Sequence, residues 1–350
     1  MPDDTNFTEE ITKWVESLPN WGKAAVAGGV ALAVYIPFKF LSTQKRNSPV
    51  TENWKPDVVY LYQFPRTRVL PNLSTFCMKV ETWLRMADIN YEIPKCPITL
   101  RSQEGTLPFV ELNGKEYYDS SFILRDVDEA IKPQHPSLDD HLSVEQKAVS
   151  RAFEAMIEKS MSISAWFYRM ENTEKMLDLF DPKVFGLFSS ILKMINSRFY
   201  ASTLLKRISG SDIGFHNRDD IIKIGSDDLK SISKYLGNKH YFHGFKPTKV
   251  DACLFANLCQ IYYAPYTSEH RDLIVGECKN LQEYVERIKN RYWPDWDDVT
   301  SKYSTETSNW KKRHIARNGN GNYGCKFGTS ETRKLPVLFG TVYQKCFSIS

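Results

Sequence analysis

The segment 106–120 constrains the fold of this chain more than any other stretch of its sequence. It predicts a strand that begins at Pro108, a tight turn at Asn113-Gly114, and a second strand that returns alongside the first. Proline has no N–H to give to a sheet, so a strand that opens with proline lies at an edge or follows a cis turn. The chain is therefore predicted to contain a β-hairpin whose first strand lies at a sheet edge or follows a cis peptide bond.

The backbone just before this hairpin is a candidate ligand site. We expect a cis turn at Pro108 to leave the backbone N–H and C=O of Leu107 unpaired. The helix after the hairpin begins at Asp119 or Ser120, either of which can serve as N-cap, and a helix start carries exposed N–H groups. Such a pair near a helix start suits an extended peptide ligand that carries a carboxylate.

The amino-acid composition is that of an ordinary folded protein, and it argues against a nucleic-acid partner and against a metal site. A length of 350 residues allows one large domain or two smaller ones, and a formal net charge of +4 is too small to imply a nucleic-acid partner. The seven cysteines are scattered and form no C-x-x-C pair, which favours reduced thiols in the cytosol. His240 and His243 have no nearby third ligand, so we predict no metal site.

The N-terminal residues predict a single membrane span at 22–42, after a flank at 1–21. The run 24–41 is apolar except for Lys39, and its length of roughly 27 Å as a helix just matches a hydrocarbon core. The cationic side of the span is C-terminal, so the positive-inside rule leaves the main domain in the cytosol. A buried core helix is the alternative, and the sequence does not identify which membrane is used.

Two folded domains are predicted after a polar linker at 43–56. Residues 57–132 show a β-α-β, connection, β-β-α order, which favours one small sheet with helices on its faces and an α+β or α/β class. Residues 133–297 show only helical patterns. Residues 298–350 have no sustained period and are predicted to be a disordered tail.

Three short motifs, in this order and spacing, resemble the soluble glutathione transferase fold, with a thioredoxin-like N-terminal domain and an all-helical C-terminal domain. They are Leu107-Pro108, Asp119-Ser120 and the capping-box pair Thr248 and Asp251. The resemblance implies a cis Pro108 and a Leu107 backbone that pairs with the cysteinyl part of glutathione. It also implies that the acid-serine pair holds the γ-glutamyl end, and that the capping box nucleates the helical domain.

A narrower resemblance lies in 61–65 and 76–86, which are similar to failed axon connections proteins, relatives of metaxins and of nematode cadmium-responsive proteins. It implies a membrane-anchored, cytosol-facing module that acts mainly by binding protein partners, in axon development. An active glutathione transferase and a metaxin-like component of mitochondrial outer-membrane import are the alternatives. The sequence does not decide whether the chain forms a homodimer.

The residue that would activate a bound thiol is the least determined part of the site. Ser74 matches best the hydroxyl that lies near the glutathione sulfur at the first helix start, although a plain N-cap is the alternative. Cys77 is a second candidate or a small buried residue, and Tyr62 is a third. No cofactor is required, and glutathione is the expected ligand or cosubstrate.

Overall fold

The computed structural model describes most of the two predicted domains. The described residues are 13–26, 28–29, 48–97, 100–132, 135–181, 184 and 189–307. No helix in these ranges is long and apolar enough to cross a membrane. Most of the predicted span at 22–42 lies outside the described residues, as do the start of the flank and the tail from 308 onward.

The first domain is a four-stranded sheet with helices packed on it. Its elements are β1 (Val59–Tyr62), α1 (Thr75–Met86), β2 (Tyr91–Glu92), β3 (Phe109–Leu112), β4 (Lys115–Tyr118) and α2 (Ser120–Ile131). The strand order is β2-β1-β3-β4, with β1 and β2 parallel and the other neighbours antiparallel. The predicted β-α-β, β-β-α order is thus observed, and the Leu107–Pro108 bond is cis as predicted.

The two faces of this sheet are covered differently. Val59 and Leu61 belong to the large core with α1 and α2, whereas Tyr60 and Tyr62 lie in a separate cluster on the opposite face. Residues 48–57 cover that second face, where the buried Glu111 accepts a hydrogen bond from the Thr51 N–H at 3.1 Å. The second half of the predicted linker is therefore part of the fold.

In its described residues the second domain consists of helices and their connections, with isolated bridges at Phe180 and at Tyr241 and Gly244 in place of a sheet. Its elements are α3 (Val144–Met156), a π-helical turn (Ile157–Met161), α4 (Ser162–Glu171), α5 (Thr173–Leu177), α6 (Ser189–Ser209), a 3-10 turn (Asp212–Phe215), α7 (Arg218–Leu236), α8 (Lys249–Tyr262), α9 (Glu269–Val275), α10 (Lys279–Tyr292) and α11 (Trp296–Ser301). Helix α8 is buried along almost its whole length and packs against α1. It therefore joins the two domains through a shared core.

The predicted capping box at the start of α8 is present. The Asp251 carboxylate accepts hydrogen bonds from the Thr248 N–H at 2.8 Å and from the Thr248 hydroxyl at 2.6 Å. It also accepts from the Phe242 N–H and from the Tyr284 hydroxyl, each at 2.7 Å. This buried carboxylate thus connects the loop before α8, the N-terminus of α8 and helix α10 through hydrogen bonds.

The fold continues past residue 297, so the predicted boundary of a disordered tail at 298 is wrong. Helix α11 buries Val299, and the chain after it returns to the first domain. There the Ser304 carbonyl accepts from Arg66 at 3.1 Å, and the Thr307 hydroxyl donates to the Tyr91 carbonyl at 2.7 Å. These partners lie more than two hundred positions away, which no local period reveals.

A buried ionic cluster ties the same regions together. Glu81 on α1 accepts two hydrogen bonds from Arg66, at 2.7 and 2.8 Å, and one from Arg85 at 3.1 Å. Arg85 also donates to Asp295 at 2.6 Å and lies 3.7 Å from the ring centroid of Trp293. The cluster links α1 to the segment before α11, and each of its charges faces an opposite one.

Candidate functional site

A cleft of about 540 Å³ lies between the two domains. The predicted ligand residues on its first-domain wall are Ser74, Leu107, Pro108, Asp119 and Ser120. Phe64, Phe76 and Arg101 also line that wall, and residues from α4 to α6 form the opposite one. The structure therefore brings Ser74 together with Leu107-Pro108 and Asp119-Ser120 around one cavity, although Ser74 lies more than thirty positions before the other two segments.

The backbone of Leu107 is available to a ligand. No described residue forms a hydrogen bond with its N–H or C=O, whereas the residue before it is held in a local turn. In that turn the Ser102 N–H donates to the Thr106 carbonyl at 3.0 Å, and the Thr106 N–H donates to the Ser102 hydroxyl at 3.0 Å. A hydrogen-bonded turn thus presents to the cleft a donor and an acceptor that no residue of the described ranges occupies.

Ser74 is both the N-cap of α1 and a residue of the cleft wall. Its hydroxyl oxygen accepts from the Cys77 N–H at 3.3 Å, and its own N–H donates to Asn72 at 2.9 Å. Because the oxygen acts there as an acceptor, the hydroxyl hydrogen is free to point toward a ligand. Thr75 and Phe76 also line the cleft, so first-turn N–H groups of α1 and its positive dipole end face the same space.

Asp119 caps α2 with one of its two carboxylate oxygens. Its Oδ1 accepts from the Ser121 N–H at 2.8 Å and from the Phe122 N–H at 3.3 Å, and no described residue donates to Oδ2. The residue has a positive φ of 62°, which turns the backbone sharply at the helix start. Asp119 therefore combines a structural cap with a negative charge that a ligand ammonium group can approach.

Two of the predicted thiol-activating residues do not reach the cleft. Cys77 is fully buried behind the start of α1, and burial raises the pKa of its thiol to about 11. Tyr62 lies on the opposite face of the sheet, where it stacks on Phe109 at 4.4 Å between ring centroids. Its hydroxyl bonds to Thr51 and Glu111, and burial raises its pKa. Of the three candidates, only Ser74 can touch a bound thiol.

The helical wall of the cleft contains residues that the sequence analysis missed. Trp166 and Arg169 lie three positions apart on α4, so they share a helix face, and the Trp166 ring packs edge-on against Phe76 at 6.3 Å. Tyr200 and Arg207 reach the cleft from α6. The aromatic-arginine pair on α4 was a usable signal, but nothing local indicates that this face borders a cavity.

No group of three or more metal-ligating side chains occurs in the part of the chain that the structure describes. His243, considered above as a metal ligand, instead hydrogen-bonds through Nε2 to the Ser150 hydroxyl at 2.7 Å. Its other ring nitrogen faces the Tyr235 hydroxyl at 3.4 Å. This histidine connects α3 to α7 and lies away from the cleft.

Comparison with known families agrees with the fold. Residues 75–176 match the family model described as the glutathione S-transferase N-terminal domain, and residues 225–288 match the glutathione S-transferase C-terminal domain. The chain is thus a glutathione-transferase-like protein, with a thioredoxin-like domain followed by a helical one.

Comparison with individual proteins identifies the family within this class. Failed axon connections of Drosophila melanogaster is 35% identical over 290 residues, which cover 79% of this chain and 67% of the relative. The chain belongs to the failed axon connections family. Metaxin-2 of Mus musculus is 21% identical over 248 residues, which cover 70% of this chain and 92% of the relative. A solved glutathione S-transferase of Ceriporiopsis subvermispora in complex with glutathione covers 67% of this chain and 97% of its own, at 17% identity and a TM-score of 0.48.

Proposed function

We propose that the chain is a membrane-anchored binding protein whose cleft holds glutathione or a peptide of the same chemistry. The observation that supports this most is the meeting around one cavity of the start of α1, the Leu107 backbone and Oδ2 of Asp119, the last two of which have no hydrogen-bond partner among the described residues. An extended peptide needs a backbone donor and acceptor, a site for its thiol and a counter-charge for its ammonium end. The cleft offers all three.

Each part of the ligand has a matching group in this proposal. The Leu107 N–H and C=O pair with the cysteinyl backbone, which positions the sulfur beside Ser74 and the positive end of α1. The γ-glutamyl end lies at the start of α2, where Oδ2 of Asp119 accepts from its ammonium group and Ser120 lines the wall.

Glutathione conjugation is the second candidate function. The position of Ser74 supports it, because a hydroxyl that donates to the sulfur and a helix N-terminus both favour the thiolate, which is the nucleophile. Neither Cys77 nor Tyr62 can replace it, since both side chains are fully buried. A turnover function would therefore depend on one hydroxyl.

Calorimetry with glutathione, on the detergent-solubilised full chain, tests the binding proposal. Asp119→Asn should weaken binding while the helix stays intact, because asparagine caps a helix as well as aspartate does but lacks the charge. Asp126→Asn is the matched control, since Asp126 lies on the exposed side of α2 in an ion pair with Arg125. Absence of binding, or equal loss in both variants, would contradict the proposal.

Ser74→Ala separates binding from catalysis. Under the binding proposal the variant retains glutathione affinity, and neither it nor the unmodified chain conjugates glutathione to a simple aromatic electrophile. If the unmodified chain does turn over, the rate should fall in Ser74→Ala while affinity changes little, because the hydroxyl acts on the sulfur alone. Turnover that is insensitive to this change would exclude Ser74 as the activating group.

The anchor and the partner role are also parts of the proposal. The apolar run at 24–41 supports a span, and the similarity to failed axon connections supports a role through protein partners in axon connection. Leu32→Asp places a charge near the middle of that run, at a cost of roughly 3 kcal/mol for insertion. The variant should shift from the alkali-resistant membrane pellet to the supernatant, whereas Leu32→Ala should stay in the pellet.

A further inference from the structure

The loop 237–248, between α7 and α8, holds an exposed phenylalanine next to a turn that is fixed to the core. Phe242 has no exposed surface, and its N–H donates to the buried carboxylate at the start of α8 at 2.7 Å. Tyr241 and Gly244 exchange two backbone hydrogen bonds, at 2.8 and 3.0 Å, which close the turn between them. Phe245 follows directly, and 85% of its surface is exposed. The anchored turn thus presents an aromatic side chain to the surroundings of the protein.

The surface around this phenylalanine is positive. The loop 237–248 contains Lys239 and Lys246 and no acidic residue, and Arg287 of α10 joins it by donating to the His240 carbonyl at 3.0 Å. Among the described residues no carboxylate lies within ion-pair distance of these three cations. The loop therefore combines exposed apolar surface with charges that are not neutralised by the fold.

A second phenylalanine is equally exposed but lacks this charge. Phe215, in the 3-10 turn, is 84% exposed, yet Asp212 precedes it and Asp219 and Asp220 follow it within five positions. Single exposed apolar side chains are common, so exposure alone does not indicate a contact surface. The combination of an exposed aromatic ring with cations is what distinguishes the loop 237–248, and it is typical of surfaces that contact anionic membranes.

The short connection to the predicted span keeps the folded domains beside a membrane. The span is predicted to end at 42, and by Val50 the chain is already bound to the first domain, since the Val50 N–H donates to Glu111. Even fully extended, residues 43–49 cover no more than roughly 25 Å. Such a short tether gives a high effective concentration at the headgroups, so a weak surface contact is sufficient.

The loop 237–248 lies at the end of the first domain that is opposite the cleft. Helix α1 begins at the cleft with Ser74 as its N-cap, and near its other end Arg85 donates to the Tyr292 carbonyl at 3.2 Å. The Tyr292 hydroxyl in turn bonds to that of Tyr241 in the loop, at 3.3 Å. Helix α1 has 12 residues and is roughly 18 Å long, which is less than the reach of the tether.

We propose that the loop 237–248, together with Arg287, is a contact site for an anionic membrane surface. Phe245 enters the headgroup region, and Lys239 and Lys246 face the negative groups of the lipids. The contact orients the protein so that the cleft points away from the membrane and stays open to ligands. This inference rests on the proposed function only in taking the span at 22–42 as an anchor.

Hydroxyl-radical footprinting of the full chain in lipid nanodiscs tests the contact. The discs contain phosphatidylcholine alone or phosphatidylcholine with phosphatidylserine, and mass spectrometry measures the oxidation of Phe245 relative to Phe215 in the same sample. This ratio should be about fivefold lower in the discs with phosphatidylserine, because one cation at an anionic surface contributes roughly that factor. Lys246→Gln should reduce the difference between the discs. Arg125→Gln, which removes an exposed arginine of α2, is the control and should leave the difference unchanged.

The outcomes separate this inference from the proposed anchor. A chain that stays with neither kind of disc contradicts the anchor and overturns the contact site with it. A chain that stays with both, and in which the oxidation ratio is the same in both, contradicts the contact site alone. Equal protection of Phe245 and Phe215 by phosphatidylserine would indicate adsorption without a preferred face, and it would overturn the inference as well. A protein partner of the loop, in place of lipid, would likewise leave the ratio independent of phosphatidylserine.

Discussion

Replacing Glu81 by glutamine should be among the most destabilising single changes in this fold. Glu81 has no exposed surface, and it accepts charged hydrogen bonds from Arg66 and Arg85 and further bonds from Gln63 and Tyr91. Glutamine preserves the shape of the side chain but removes the charge and one acceptor oxygen. Arg66 then loses its only carboxylate partner among the described residues, while Arg85 retains Asp295.

The pKa of Glu81 gives the size of the effect. Burial alone would raise this pKa, but the charges of Arg66 and Arg85 and their hydrogen bonds outweigh burial and lower it from 4.5 to about 2. At 1.36 kcal/mol per pKa unit, the ionised form contributes about 3 kcal/mol of stability. Loss of one partner of a buried pair costs on the order of 3–5 kcal/mol, which agrees with this value.

The sign of the pH dependence follows from the same shift. The folded pKa of this acid lies below its unfolded value, so the stabilisation is fully present above pH 4.5 and is lost as pH falls toward about 2. The difference in unfolding free energy between the unmodified chain and Glu81→Gln should therefore be constant from neutral pH down to about pH 5. Below that it should shrink.

Urea unfolding followed by tryptophan fluorescence measures this difference on the full chain. Glu92→Gln is the matched control, because the Lys55–Glu92 pair has a similar distance of 2.8 Å but both side chains are exposed. It should cost no more than about 1 kcal/mol. A double-mutant cycle with Arg66→Gln should show that the two changes together cost less than their sum. Equal costs for Glu81→Gln and Glu92→Gln would refute the reasoning.

Three further outcomes follow from the packing. The Cys77 thiol, with a pKa of about 11, should resist iodoacetamide at pH 8 in the native chain and react after unfolding, as mass spectrometry of the peptides would show. Gly225→Ala should destabilise the fold by about 1–3 kcal/mol in urea, because the new Cβ would lie 2.5 Å from the Ser164 hydroxyl oxygen. Asp251→Ala should cost about 3 kcal/mol or more, or prevent folding, because it removes the acceptor of several buried donors, including the Tyr284 hydroxyl. Asp251→Asn should cost less, because one amide oxygen remains.

The features that sequence reasoning predicted correctly are local. The cis bond at Pro108 was implied by the resemblance to the glutathione transferase fold, whereas the cap at Asp119 and the capping box of Thr248 and Asp251 each depend on residues within three or four positions of one another. Because the partners are neighbours in the chain, their spacing alone indicates the interaction. The order of strands and helices was predictable for the same reason.

The features that the sequence did not reveal concern which face of a strand or helix is buried, and which part of the chain buries it. Alternation along β1 shows that Tyr62 lies on the face opposite Leu61, but not that residues 48–57 would bury it. A helical period places Cys77 on α1 without showing that its surroundings exclude water. The docking of the chain after 297 was also hidden, since its partners lie in the first domain.

The sequence by itself determined the two-domain order and the first-domain half of the cleft, because short-range spacing specifies caps, turns and periods. Only the tertiary structure decided that Ser74 alone among the thiol-activating candidates reaches the cavity, and that the buried Arg169 lines it with no carboxylate partner among the described residues. Both facts depend on the packing of helices that are far apart in the chain. Burial and the distance between charges are properties of that packing, and no local pattern contains them.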